Sequence, residues 1–336
     1  MAGSFLHIRR WLLVPALATT MGCSVLRTSD GPRLDPPAML PSTPEAPPAP
    51  LGVKPKKSPV TAPARDVYRF SQFVFYSDFE LDRSSPLFAE LEELRDQVFR
   101  ELALPPSNTV VQVFLFEDFG KYRDYMQSRY PELPRRRAFF ISQPRANGGA
   151  DDLLVYTYWG DHIRQDLRHE LTHALLHSVL REVPLWLDEG LAEYFELPPN
   201  FQHVNRNHLD DMRRDEFRPN LPRLEGLTQV DQMKQPEYRE AWAWVHWMLR
   251  GSPEGRAELL TYLQQLRHVP GPGPLAPRLA SVFANPGQAL NQHLARLIVG
   301  QPMPATATTM GTGGNPPPLT PVGSVGQPVS NNARNR

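Results

Sequence analysis

The sequence predicts an α+β domain in which a small N-terminal mixed sheet with helices is followed by a helical subdomain. Short aromatic and β-branched runs are confined to residues 70–158, and every apolar pattern after residue 161 has helical spacing. Polar, proline-rich sequence flanks this stretch on both sides.

The run Phe70-Ser71-Gln72-Phe73-Val74-Phe75-Tyr76 reads as one strand. Leu87, Leu91, Leu94, Val98 and Leu102 recur at helical spacing and predict a helix over 86–102. Residues 110–116 give a second strand and 119–130 a second helix, ended by Pro131. Two more strands, 138–142 and 153–158, are separated by a loop containing Asn147-Gly148-Gly149. Helices are expected on one side of this sheet. Farther on, helices are expected at 161–180, 185–196, 237–250 and 255–267, with two shorter ones before Gly300. Residues 197–222, rich in Asn, Arg and Asp, read as a solvated loop bordering a cleft.

The 37 prolines among 336 residues are unevenly spread, which leaves one folded unit at 66–300. Residues 24–65 read as a disordered Pro-rich linker and 301–336 as a disordered tail, since neither has the apolar content to bury a core. Arg9 and Arg10 followed by a short apolar run read as a signal peptide over 1–23, too short to span a bilayer. Thr19-Thr20-Met21-Gly22-Cys23 resembles a bacterial lipobox, with Thr20 where Leu is usual. Lipidation at Cys23 would tether the exported chain to the periplasmic or extracellular side of a membrane in the cell envelope; cleavage without lipidation is the alternative.

Lys plus Arg total 36 and Asp plus Glu total 36, a net charge of zero that argues against a nucleic-acid partner. Cys23 is the single cysteine, which excludes an intrachain disulfide framework and any Cys-based metal site. Histidines and carboxylates remain as metal ligands.

His169-Glu170-Leu171-Thr172-His173 supplies them. Helix residues four apart differ by roughly 40° in azimuth and about 6 Å in rise, so His169 and His173 can share one zinc ion. Glu170 then stands beside that ion as general base for a metal-bound water. Ile163, Leu167, Leu171, Ala174 and Leu175 form a stripe that buries another side of the helix. The next helix, Trp186-Leu187-Asp188-Glu189-Gly190-Leu191-Ala192-Glu193, offers Glu189 as the third ligand, and Gly190 is expected to let it approach the first helix closely. Glu193 shares the Glu189 side, away from the apolar one. His177 is about 12 Å along the axis from His169, too far to share the ion.

These two segments resemble the gluzincin metallopeptidases of the peptidase MA superfamily, and in particular peptidase-MA-like proteins of the bacterial envelope. The resemblance spans roughly residues 66–300, with strong motifs only at 166–196. It implies a zincin-like fold, His169, His173 and Glu189 as zinc ligands, Glu170 as catalytic base and Glu193 in contact with a ligand histidine. Fifteen residues separate His173 from Glu189, fewer than in the thermolysin and aminopeptidase branches, so substrate-pocket details do not carry over. For the oxyanion donor, Tyr238 and His246 are alternatives, and Tyr238 is favoured by its position in similar proteins. The strand at 153–158 is a candidate for pairing with an extended polypeptide substrate. The function expected is a zinc-dependent peptidase of the cell envelope, more in keeping with endo- than exopeptidase action. A catalytically inactive envelope protein that binds or assembles on the same fold is the alternative, and oligomeric state is not encoded legibly.

Overall fold

A computed structural model describes residues 9–10, 61–145, 148–180, 182–269 and 271–300. Apart from Arg9 and Arg10, the signal and the lipobox with Cys23 lie outside the described residues, as do most of the linker and the tail from 301. No described helix is long and apolar enough to cross a membrane.

The sheet is mixed. Strands β1 (Arg9–Arg10), β2 (Asp66–Phe70), β3 (Phe73–Ser77), β4 (Val111–Phe116), β5 (Phe139–Gln143) and β6 (Asp152–Tyr158) lie in the order β1-β5-β6-β4-β3-β2. The pairs β3–β4 and β4–β6 are parallel, whereas β2–β3, β5–β6 and the two-residue β1–β5 pairing are antiparallel. The run expected as one strand at 70–76 is thus the turn and second arm of a hairpin, with Phe70 paired to Phe73. Ser71 makes the turn at φ 55, a left-handed conformation uncommon outside glycine. Strand β6 lies between β4 and β5, so its backbone is already paired on both sides and the expectation that it recruits a substrate strand does not hold.

Both faces of the sheet are covered. Val111, Val113, Leu115, Phe140, Leu153 and Val155 point to one face, where they join α1 (Pro86–Glu101) and α3 (Ile163–His177) in the main core. Phe116, Ile141, Leu154 and Tyr156 alternate with them and pack on the opposite face against Tyr122, Tyr125 and Met126 of α2 (Phe119–Arg129). Helices on one side only was therefore too narrow an expectation. The uninterrupted apolar character of β4 and β6 follows from burial on two faces.

The helical part comprises α4 (Leu185–Phe195), α5 (Arg206–Arg214), α6 (Leu221–Glu225), α7 (Gln235–His246), α8 (Pro253–His268), α9 (Ala276–Val282) and α10 (Pro286–Ile298). Helix starts are written locally. Asp118, Ser252 and Asn285 accept from backbone N–H groups of the first turns of α2, α8 and α10, and proline occupies that turn in α1, α7, α8 and α10, where no intrahelical partner is lost. Residues 197–222, expected as a loop, contain α5, whose inward face is only Leu209 and Met212. Beyond α7 the helix loosens into a π-turn, Trp247–Gly251.

Every residue of α4 is buried. The helix is wedged between α3 and α7, and its most extensive packing is on α7. A Cβ on Gly190 would lie 2.7 Å from the Ala241 carbonyl oxygen and 2.9 Å from its carbon. The glycine therefore admits α7, not α3 as the sequence suggested, and α4 packs between α7 and the histidine helix.

Candidate metal centre

Helix α3 presents His169, Glu170 and His173 toward α4, and all three are fully buried. From α4, Glu189 Oε2 stands 3.6 Å from His169 Nε2 and 3.7 Å from His173 Nε2. One potential ligand atom from each of these residues lies within 4.8 Å of the others, an arrangement able to hold a metal ion. The two imidazole rings are nearly perpendicular, with centroids 5.0 Å apart.

The remaining ring nitrogens are held from behind. Glu196 Oε2 is 3.1 Å from His169 Nδ1, and Asp188 Oδ1 is 3.2 Å from His173 Nδ1. Glu196 accepts the Nδ1–H of His169 and Asp188 pairs electrostatically with His173 Nδ1, an arrangement that turns the Nε2 atoms toward Glu189. Asp188 also receives His177 Nε2 at 2.9 Å, so His177 touches the site through that carboxylate. Phe140 of β5 stacks beneath His173 and His177 and fixes their ring planes from the sheet side. Arg168 donates to the Glu196 backbone carbonyl at 3.1 Å and ties the end of α4 to α3.

Glu193, expected in contact with a ligand histidine, is hydrogen-bonded instead to His208 of α5 at 2.9 Å. Its carboxylate remains close to His169 and Glu196, with one atom of each within 4.8 Å. The carboxylate that orients His169 is Glu196, one further turn along α4. Tyr238 is buried at the start of α7 and hydrogen-bonded to Arg136, within the electrostatic field of Glu189. Burial raises its phenol well above the ordinary value and Glu189 adds to this, with Arg136 opposing, so it carries its proton across the physiological range. His246 is elsewhere, bonded to His293 at 2.9 Å and to the Gln202 carbonyl at 3.3 Å.

Asp188, Glu196, His208 and Arg136 were not among the residues picked from the sequence. Glu196 had a signal, because positions 189, 193 and 196 form one helical stripe. Asp188 adjoins Glu189, but whether it faces the histidines depends on how α4 is rotated. Arg136 is in a connecting segment, where no periodicity predicts direction.

The electrostatics favour a cation. Glu170, Asp188, Glu189, Glu193 and Glu196 place five buried carboxylates around the two histidines. Burial disfavours charge on both rings, yet Glu189 and Glu196 hold His169 well above its usual value and Asp188 holds His173 up. Glu170 is pushed up to about 7 by burial, which the two histidines oppose and Glu189 and Asp166 reinforce. His169 Nε2, both Glu170 oxygens and both Glu189 oxygens have no hydrogen-bond partner among the described residues, although all are buried. Native proteins rarely bury polar atoms without a partner, and a divalent cation would satisfy the nitrogen and the Glu189 carboxylate together.

Comparison with known proteins bears on the same segment. A family profile described as "Protein of unknown function (DUF1570)" matches residues 165–270, from the histidine helix through α8. No curated protein and no solved structure matches the chain.

Proposed function

We propose that the protein is a zinc-dependent peptidase of the cell envelope, acting within polypeptides. The observation that carries this reading is the set of buried, unpartnered atoms on His169, Glu170 and Glu189, converging from two helices. Two nitrogens and a carboxylate suit zinc in an open, reactive arrangement, and zinc there would polarise the scissile carbonyl and make water more acidic. His169, His173 and Glu189 would hold it.

The chain's own groups supply the rest. Glu170, buried and poised near neutrality, takes a proton from the attacking water and returns it to the departing amine. The Tyr238 O–H donates to the oxyanion as the carbonyl becomes tetrahedral. Arg136 positions that phenol, and Asp188 and Glu196 keep the ring nitrogens in the required tautomer.

Glu170→Gln in the full chain should retain its zinc and lose about a thousandfold in cleavage of a panel of denatured proteins, the scale of a lost acid–base group. Mass spectrometry of the wild-type products should find internal cuts. Wild-type cleavage by Glu170→Gln would refute this chemistry, and zinc binding without cleavage by the wild type would favour the non-enzymatic alternative.

A further inference from the structure

A cleft of about 650 Å³ opens between the segment before β5 and the start of α7. Both walls are anchored to the metal-binding helices. On one side Arg137 pairs with Asp166 of α3 at 2.8 Å, three residues before His169. On the other, α7 is held to α4 by the close approach at Gly190. Tyr238, which lines the cleft, is in the electrostatic field of Glu189, and Arg136 beside it is in the field of both Glu189 and Glu170.

The lining carries Arg135, Arg136, Arg137 and Lys234 and, among the described residues, no carboxylate. Arg137 is taken by Asp166 and Arg136 is engaged with Tyr238, whereas Arg135 and Lys234 are solvent-exposed. Phe119, also on the wall, is 43% exposed and supplies an apolar surface. In a chain of zero net charge this concentration of cations is local, and through Tyr238 and Arg136 it lies within the electrostatic field of the buried acidic centre.

We propose that this cleft binds a peptide carboxylate, so that the centre selects polypeptide segments with an acidic side chain or a free C-terminus next to the bond it cleaves; this rests on the peptidase reading above. Guanidinium groups pair with carboxylates through two parallel N–H donors, and the apolar wall accommodates the neighbouring residue. The cations also offset the repulsion that an acidic peptide would meet from the buried carboxylates behind Tyr238.

Four fluorescein-labelled peptides, identical except for Glu or Gln at one position and a free or amidated C-terminus, would be titrated by anisotropy against zinc-loaded, full-length Glu170→Gln. A carboxylate-bearing form should bind about tenfold more tightly than the amidated Gln form, with the difference shrinking as salt is raised. The Glu and free-terminus arms tell a side-chain from a terminal carboxylate. With Arg135→Gln and Lys234→Gln added, both at exposed positions, the preference should fall to about twofold. Equal or absent binding of all four peptides, or a preference unchanged by the added substitutions, overturns the proposal. Wild-type cleavage is read in parallel. Cleavage indifferent to charge would sink the carboxylate site and leave the peptidase reading standing; preferential binding with no cleavage would do the reverse.

Discussion

Glu189, Glu193 and Glu196 lie on one stripe of α4 and its C-cap, yet their partners differ. Glu189 faces the Nε2 atoms of both histidines, Glu196 holds His169 Nδ1, and Glu193 is turned to His208. A carboxylate behind a ligand histidine typically contributes about 10- to 100-fold in metal affinity. Glu196→Gln and Asp188→Asn should each weaken zinc binding by about that factor, while Glu193→Gln should change it less. Competition with a chromogenic chelator reads all three. A larger loss in Glu193→Gln than in Glu196→Gln would mean that the orienting role lies where the family resemblance put it. That His169, Glu170, His173 and Glu189 come together was legible because their spacings map directly onto helical faces. Asp188 and Glu196 were harder, since choosing among neighbouring acids requires the rotation of α4 about its axis, and that is set by tertiary packing.

At the scale of elements, the contact that sets this rotation is between α4 and α7. Helix propensity alone predicts that Gly190→Ala would stabilise α4 by about 1 kcal/mol. The new methyl group would meet the Ala241 backbone at 2.7 Å, where no side-chain rotation can relieve it, and such overpacking costs about 1–3 kcal/mol or somewhat more. The balance should be destabilising, with a Tm lower by several degrees and weaker zinc binding, because Glu189 is the adjacent residue. A Tm equal to or above wild type would show that α7 does not press on α4 in this way. The sequence disclosed the glycine but not its neighbour: a helical glycine signals close approach without saying from which side. The hairpin at 66–77 was missed for a related reason, as Ser71 turns the chain without the Gly or Pro that marks most turns. Helix α5 was missed because it buries only two apolar side chains.

Across the whole molecule, a second histidine group lies apart from the metal centre. His203, His246 and His293 are all buried, and His203 accepts from Gln97 while donating to the Tyr194 carbonyl. Burial lowers His203 and His293 to about 4 and His246 well below its usual value. Well above pH 6.5 these rings are neutral in both the folded and the unfolded chain and contribute no pH dependence. As pH falls from 6.5 toward 4, the unfolded chain takes up protons that the folded one does not, so stability should decline across that window. Thermal unfolding from pH 7.5 to 4.5 should show the fall, and His293→Gln should flatten it; an unchanged slope in that variant would contradict the assignment. The α+β arrangement and the order of strands before helices were legible in apolar periodicity. The covering of both sheet faces was implicit in the continuous apolar strands, but the partner of each face is decided by long-range contacts.

The most direct test of the central claim is elemental analysis of the purified chain beside Glu189→Ala, with circular dichroism to establish that both are folded. The account predicts about one zinc per wild-type chain and only traces in the folded Glu189→Ala. A wild-type chain that holds no metal after incubation with zinc, or a Glu189→Ala that keeps its full complement, would contradict it.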